Sequence, residues 1–247
     1  MRRICCITLL AAAGISGTAV AQTKPPDGLW HGAMAAGVSL ASGNTRSSAF
    51  SLVGDGAVET AADKLTIYGT ALNASTKNAA GDKTKTADLY RLGARYDRNI
   101  TDRLFGFGGL ELEKDGIQSL KLRSGVNAGL GYHVLRGDSI TFDVFGGVGY
   151  VRNDYKVATD TSGATLLLGE ESTHKLSATS AFKQRLVIYP GLKSSLGNRA
   201  TWDATVSTAL AGNLTLNATY SLRHASKVPD GVKRTDSLFI VGVGYKF

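Results

Sequence analysis

Residues 214–223 read LTLNATYSLR, and in this stretch every even position is apolar or aromatic while every odd position is polar. The same alternation recurs in residues 140–144 (ITFDV) and 202–207 (WDATVS). A period of two residues is typical of a β-strand that has one apolar and one polar face. These stretches therefore predict an all-β chain.

Extending this pattern to the nearest turn signals predicts twelve strands. They lie near residues 30–41, 46–58, 64–75, 85–98, 103–114, 121–135, 140–154, 164–176, 180–189, 200–210, 214–225 and 234–247. Every second connection is a short turn, whereas most of the others are longer polar loops; 42–45 and 115–120 are short exceptions. Short turns at one rim and long loops at the other are typical of an outer-membrane barrel.

Charged side chains within the strands separate a membrane barrel from a soluble barrel or sandwich. A soluble fold keeps its apolar side chains inside, whereas an outer-membrane barrel turns them toward lipid and lines its lumen with polar ones. We therefore predict a single antiparallel transmembrane β-barrel, with aromatic girdles at both rims, the outer one including Tyr189 and Trp202. The side chains predicted to line the lumen, eight basic and five acidic, are Arg91, Arg95, Asp97, Arg103, Glu111, Glu113, Lys121, Arg123, Asp143, Lys183, Arg185, Asp203 and Arg223.

The N-terminus predicts export. Arg2 and Arg3 precede an apolar run, and Ala19-Val20-Ala21 has the small-x-small pattern of a signal-peptidase site. We expect residues 1–21 to be a cleaved signal peptide, 22–29 a periplasmic extension and 30–247 the barrel. Both cysteines lie in the removed segment, so Cys-ligated zinc and disulfides are excluded from the mature chain.

The charge of the mature chain suggests which partners to expect. Removing Arg2 and Arg3 leaves 26 of the 28 basic residues against 20 acidic ones, a formal charge of +6. An exported chain with this modest excess is expected to meet outer-membrane lipid and lipopolysaccharide, and not nucleic acid.

The C-terminal strand carries a second targeting pattern. Its alternate positions are apolar or aromatic and end on the last residue of the chain: Phe239, Val241, Val243, Tyr245 and Phe247. This pattern resembles the segment by which bacterial outer-membrane proteins are handed to their barrel-assembly machinery. We therefore expect that machinery and periplasmic chaperones to be partners, with both chain termini in the periplasm.

Short segments along the chain resemble a known family. They are residues 30–32 (WHG), 39–45 (SLASGNT), 182–184 (FKQ), 189–190 (YP), 231–236 (GVKRTD) and 245–247 (YKF). In this order they resemble the family of salt-induced outer-membrane proteins, largely catalogued as a domain of unknown function, over residues 28–247. The resemblance implies an outer-membrane barrel and supplies no catalytic residues.

The sequence leaves the function open between two classes. The first is a narrow passive pore or a structural, stress-related envelope component; carboxylates such as Glu111 and Glu113 would then pair with arginines on the flanking strands. The second is a hydrolase at the barrel rim that acts on lipid or peptide. No GxSxG or HExxH motif is present, and no obvious nucleophile lies beside His224. We therefore assign no catalytic residue, metal site or cofactor.

Overall fold

The computed structural model describes residues 27–41, 46–77, 81–228 and 233–247. The predicted signal peptide, most of the predicted extension and the loop at 42–45 lie outside these residues. Within the described part, no helix is long and apolar enough to cross a membrane.

The described residues form twelve strands. These are β1 (Trp30–Ala41), β2 (Arg46–Glu59), β3 (Asp63–Lys77), β4 (Lys83–Asn99), β5 (Leu104–Asp115), β6 (Leu120–Arg136), β7 (Ile140–Tyr155), β8 (Thr161–Lys175), β9 (Ser180–Pro190), β10 (Asn198–Ala209), β11 (Leu214–Ala225) and β12 (Thr235–Lys246). Each predicted bound agrees with the observed one within three residues. The alternation defines the strands well, because one face of each strand meets lipid and the other meets the lumen, and the two environments require different side chains.

Each strand pairs in antiparallel fashion with its neighbours in sequence, and β1 pairs with β12 to close the ring. This confirms the prediction of a single antiparallel β-barrel. Closing a sheet in this way leaves no unpaired edge strand.

The β1–β12 ladder is the shortest in the barrel. Among the described residues it has four residue pairs, from Ala33↔Lys246 to Ala36↔Val243, whereas the next shortest ladder, β8–β9, has eight. The two strands approach closely here. A Cβ atom on Gly242 would lie only 2.9 Å from the carbonyl oxygen of Ala36.

The outer face of the barrel is apolar. Val38, Val126 and Val148 are each at least 60% exposed, which is the accessibility of a side chain turned toward lipid. The alternate positions of β12 and the residue that follows the strand belong to this face, and each is more than half exposed: Phe239, Val241, Val243, Tyr245 and Phe247.

This outward row leads to a prediction about assembly. We expect Phe247→Asp to reduce the amount of folded barrel in outer-membrane fractions without blocking export, because it places a carboxylate at the end of the apolar row. The measurement is the fraction of protein that changes mobility on unheated SDS gels. Unchanged assembly would contradict a role for this row, and recovery of the wild-type protein as a soluble periplasmic monomer would contradict the predicted location.

Aromatic side chains inside the barrel lie over glycines of the neighbouring strand. Cross-strand pairing sets Phe105 opposite Gly131, Phe107 opposite Gly129, Phe145 opposite Gly169 and Tyr68 opposite Gly93. A Cβ atom on Gly131 would lie 2.1 Å from the ring of Phe105, so only glycine leaves room for the ring. The three phenylalanines form a buried cluster with Leu167 and Val187 on the inner wall.

Candidate functional site

The charged side chains predicted to line the lumen mostly point into the barrel. Those turned inward are Arg91, Arg95, Asp97, Glu111, Glu113, Arg123, Asp143, Lys183, Arg185, Asp203 and Arg223. Their exposure varies with depth: the Arg91 side chain is 8% exposed, whereas that of Lys183 is 52% exposed.

Two members of the predicted set lie elsewhere. Arg103 is exposed in the turn before β5, where its Nη1 donates to the Tyr132 hydroxyl at 3.4 Å, because β5 begins one residue later. Lys121 is exposed beside a register shift between Leu120 and Leu122. A β-bulge inserts an extra residue, so strict alternation assigns the wrong face there.

An upper layer of charges lies on β4, β5 and β6, near the long-loop end of the barrel. The guanidinium group of Arg91 forms a short ion pair with Glu111. Arg123 Nη1 donates to Glu113 Oε1 at 2.5 Å, and Arg123 Nε donates to Asn153 Oδ1 at 2.7 Å. These contacts join neighbouring strands, so each pair belongs to one wall of the barrel.

Longer contacts connect this wall to the opposite one. Arg199 Nη1 on β10 lies 3.5 Å from Glu111 Oε1, and Arg223 Nη1 on β11 lies 4.0 Å from Glu113 Oε2. Arg91 Nη1 lies 3.9 Å from Asp203 Oδ2 on β10. In a ring of twelve strands β5 and β11 are diametrically opposed. These ion pairs therefore span the lumen and constrict it.

A lower layer combines charges with the phenylalanine cluster. Arg95 Nε donates to Asp97 Oδ1 at 2.7 Å, and its guanidinium carbon lies 4.5 Å from the centre of the Phe107 ring and 4.6 Å from that of Phe145. Arg185 Nε lies 3.6 Å from Glu171 Oε2. Cation–π contacts and ion pairs together hold these arginines against the wall.

A cavity of about 40 Å³ lies between the two layers. Its charged lining consists of the guanidinium groups of Arg95, Arg123, Arg185 and Arg199 and the carboxylate of Glu111. Tyr68 and Tyr189 also line it; the Tyr68 hydroxyl donates to Glu111 Oε2 at 2.9 Å, and Arg199 lies 4.2 Å from the Tyr189 ring centre.

Sequence reasoning missed several interior side chains. Arg199 was expected in a loop, but β10 begins at Asn198. Tyr189 was assigned to the outer girdle, yet it faces inward and packs against the phenylalanine cluster. Glu171 shares the face of Leu167 on β8, and that parity was the available signal.

Strand pairing also turns Lys64, Asp55, Glu59 and Asp236 inward, since Lys64 lies opposite Asp97 and Glu59, Asp55 opposite Tyr68, and Asp236 opposite Arg223. Removing Arg103 and Lys121 from the predicted set and adding these four with Arg199 and Glu171 gives eight basic and nine acidic side chains, so the predicted basic excess is absent from this set.

The histidines offer little support for a hydrolase. His174 Nε2 lies 3.1 Å from Ser172 Oγ on the outer face, a contact that the sequence did not reveal. However, Ser172 is only 3% exposed, so a substrate cannot reach its hydroxyl. The other three histidines contact Asp27, Asp143 and Thr235. In the part of the chain that the structure describes, no group of three or more His, Cys, Asp or Glu side chains is placed to hold a metal ion.

A closed barrel with an apolar exterior and a charged interior has the architecture of a transmembrane β-barrel. The chain belongs to the family described as protein of unknown function, DUF481, whose profile matches residues 34–247. That description does not mention salt, so the link to salt induction stays a prediction. No curated protein matches the sequence.

Solved structures share the fold at low sequence identity. The NanC porin is 9% identical, with a TM-score of 0.52 over 87% of this chain and 100% of the porin. The translocator domain of the autotransporter NalP from Neisseria meningitidis is 14% identical over 88% of this chain and 87% of that domain, with a TM-score of 0.47. The KdgM porin is 11% identical over 89% and 99% of the two chains, with a TM-score of 0.44. The likeness to the NanC porin supports the barrel fold.

Proposed function

We propose that this protein is a narrow passive channel of the outer membrane that conducts ions and very small solutes. The observation that carries the proposal is the difference between the two kinds of ion pair in the upper layer. In this layer Arg91 and Arg123 each donate a hydrogen bond of 2.5–2.8 Å to a carboxylate on their own wall, whereas the ion pairs across the lumen are 3.5–4.0 Å long. Ion pairs at the longer separation are weaker, and a small displacement of either side chain lets water bridge them. The constriction is thus charged and open to hydration.

The charge balance supports only a weak ionic preference. Four guanidinium groups and one carboxylate line the narrow space between the two charged layers, and fixed charge in a confined passage concentrates counter-ions. We expect a small preference for anions at low salt, which disappears as salt screens the fixed charges. Reversal potentials under a salt gradient in planar bilayers measure this preference. A preference for cations would contradict the assigned charge balance.

The constriction itself is tested by removing two of its bridging arginines. We expect the double variant Arg199→Gln, Arg223→Gln to conduct more than the wild type and to shift toward cations, because two cross-lumen contacts and two positive charges are lost. The matched control is Arg103→Gln, Lys121→Gln, which removes the same charge outside the lumen and should leave both properties unchanged. A wild-type barrel without conductance would favour a structural envelope component instead.

A further inference from the structure

The cavity between the two charged layers has an uneven distribution of charge. Four guanidinium groups line it against one carboxylate. From this geometry we infer that the cavity is a binding site for one small monovalent anion, a halide or a single carboxylate group. The inference deepens the proposed function, on which it rests, because it locates an anion on the conduction path.

The acidic partners of the lining arginines lie away from the cavity. Arg95 pairs with Asp97, Arg123 with Glu113 and Arg185 with Glu171, and none of these three carboxylates lines the cavity. Only Glu111, the partner of Arg199 and Arg91, contributes to the lining. An anion placed there would meet guanidinium groups on several sides and one carboxylate.

Among the described residues, one donor beside the cavity has no hydrogen-bond partner. Arg185 Nε is buried and forms no hydrogen bond with the described residues, since its nearest acidic oxygen, Glu171 Oε2, is 3.6 Å away. A buried donor is normally hydrogen-bonded, to protein, water or ligand. Arginine is also well suited to carboxylates because its N–H groups form a planar fork. The orphan donor is therefore a second observation that points to a ligand.

The size of the cavity limits the ligand. A volume of about 40 Å³ accommodates only a few water-sized groups. A halide ion or the carboxylate end of a solute fits this space, whereas a bulky organic anion does not.

Thermal unfolding of the intact barrel in detergent tests the site, because a ligand that binds only the folded state raises the melting temperature. We expect bromide, exchanged for morpholinoethanesulfonate at constant ionic strength, to raise the melting temperature by about 2–5 °C. Acetate should act similarly, and its failure alongside a bromide effect would restrict the site to halides. No shift with either anion would overturn the site and leave a cavity that holds water only.

A pair of variants on β9 provides the matched comparison. Arg185 and Lys183 lie on the same face of the strand and both contact Glu171, but only Arg185 lines the cavity. We expect Arg185→Gln to abolish the bromide shift and Lys183→Gln to retain it; equal shifts in both variants would overturn the inference. If Arg185→Gln does not fold, Arg199→Gln replaces it. Conductance without a bromide shift would disprove only the site, whereas a shift without conductance would disprove the channel.

Discussion

Replacing Glu113 with glutamine is expected to lower the free energy of unfolding of the barrel by about 3 kcal/mol. Glu113 is 5% exposed, its Oε1 accepts from Arg123 Nη1 at 2.5 Å, and its Oε2 lies 3.9 Å from Arg91 Nε. Glutamine keeps the size of the side chain but removes the negative charge. The buried arginines then remain without full compensation, which is costly at a buried position. Urea unfolding of the barrel in detergent or lipid measures the change.

The control is the same substitution at an exposed ion pair. Glu59 lies 3.5 Å from Lys64, and both side chains are more than 40% exposed. Exposed pairs contribute little, so Glu59→Gln should cost less than about 1 kcal/mol. Similar losses for the two variants would mean that Glu113 is screened as an exposed carboxylate is, and would contradict its burial among the arginines of the constriction.

Introducing a single methyl group at Gly131 is expected to lower the free energy of unfolding by about 1–3 kcal/mol. Its Cβ atom would lie 2.1 Å from the ring of Phe105, which is 3% exposed and lies beside the imidazole of His133. The ring cannot remain in place, and moving it disturbs the phenylalanine cluster and the adjacent Arg95. The unfolding midpoint of Gly131→Ala in urea measures the effect.

Gly125 offers the comparison within the same strand and on the same face. A Cβ atom there would meet nothing nearer than the carbonyl oxygen of Tyr150 at 3.9 Å, an ordinary contact. Gly125→Ala should be neutral or slightly stabilising, because alanine restricts the unfolded chain more than glycine does. A loss of unfolding free energy equal to that of Gly131→Ala would show that the glycines are needed for the curvature of the barrel wall, and not to leave room for the aromatic rings.

The strands were predictable from the sequence because lipid and lumen impose opposite requirements on successive residues. The pattern in 214–223 is repeated around the barrel, and turn residues mark where it stops. Face assignment by parity holds as long as the ladder is regular. It failed at Lys121, beside a bulge, because no local signal in the sequence marks the extra residue.

The constriction was beyond sequence reasoning for a different reason. Which side chains meet across the lumen depends on how twelve strands are staggered when the ring closes. Neighbouring pairs such as Arg123 and Glu113 follow from strand order, and the sequence suggested them. The approach of Arg199 to Glu111, 88 residues away in the chain, follows only from the closed ring.

A closed barrel opens most easily at its shortest ladder, and here that ladder joins the first strand, β1, to the last strand, β12. The four residue pairs between β1 and β12 hold fewer backbone groups than any other ladder in the described barrel. Each backbone group released into hydrocarbon is costly, so parting this ladder costs less than parting any other. The pairing of the first and last strands is thus the weakest ladder of the barrel. Parting β1 from β12 would leave the ladders of β4, β5 and β6, which carry Arg91, Glu113 and Arg123, intact.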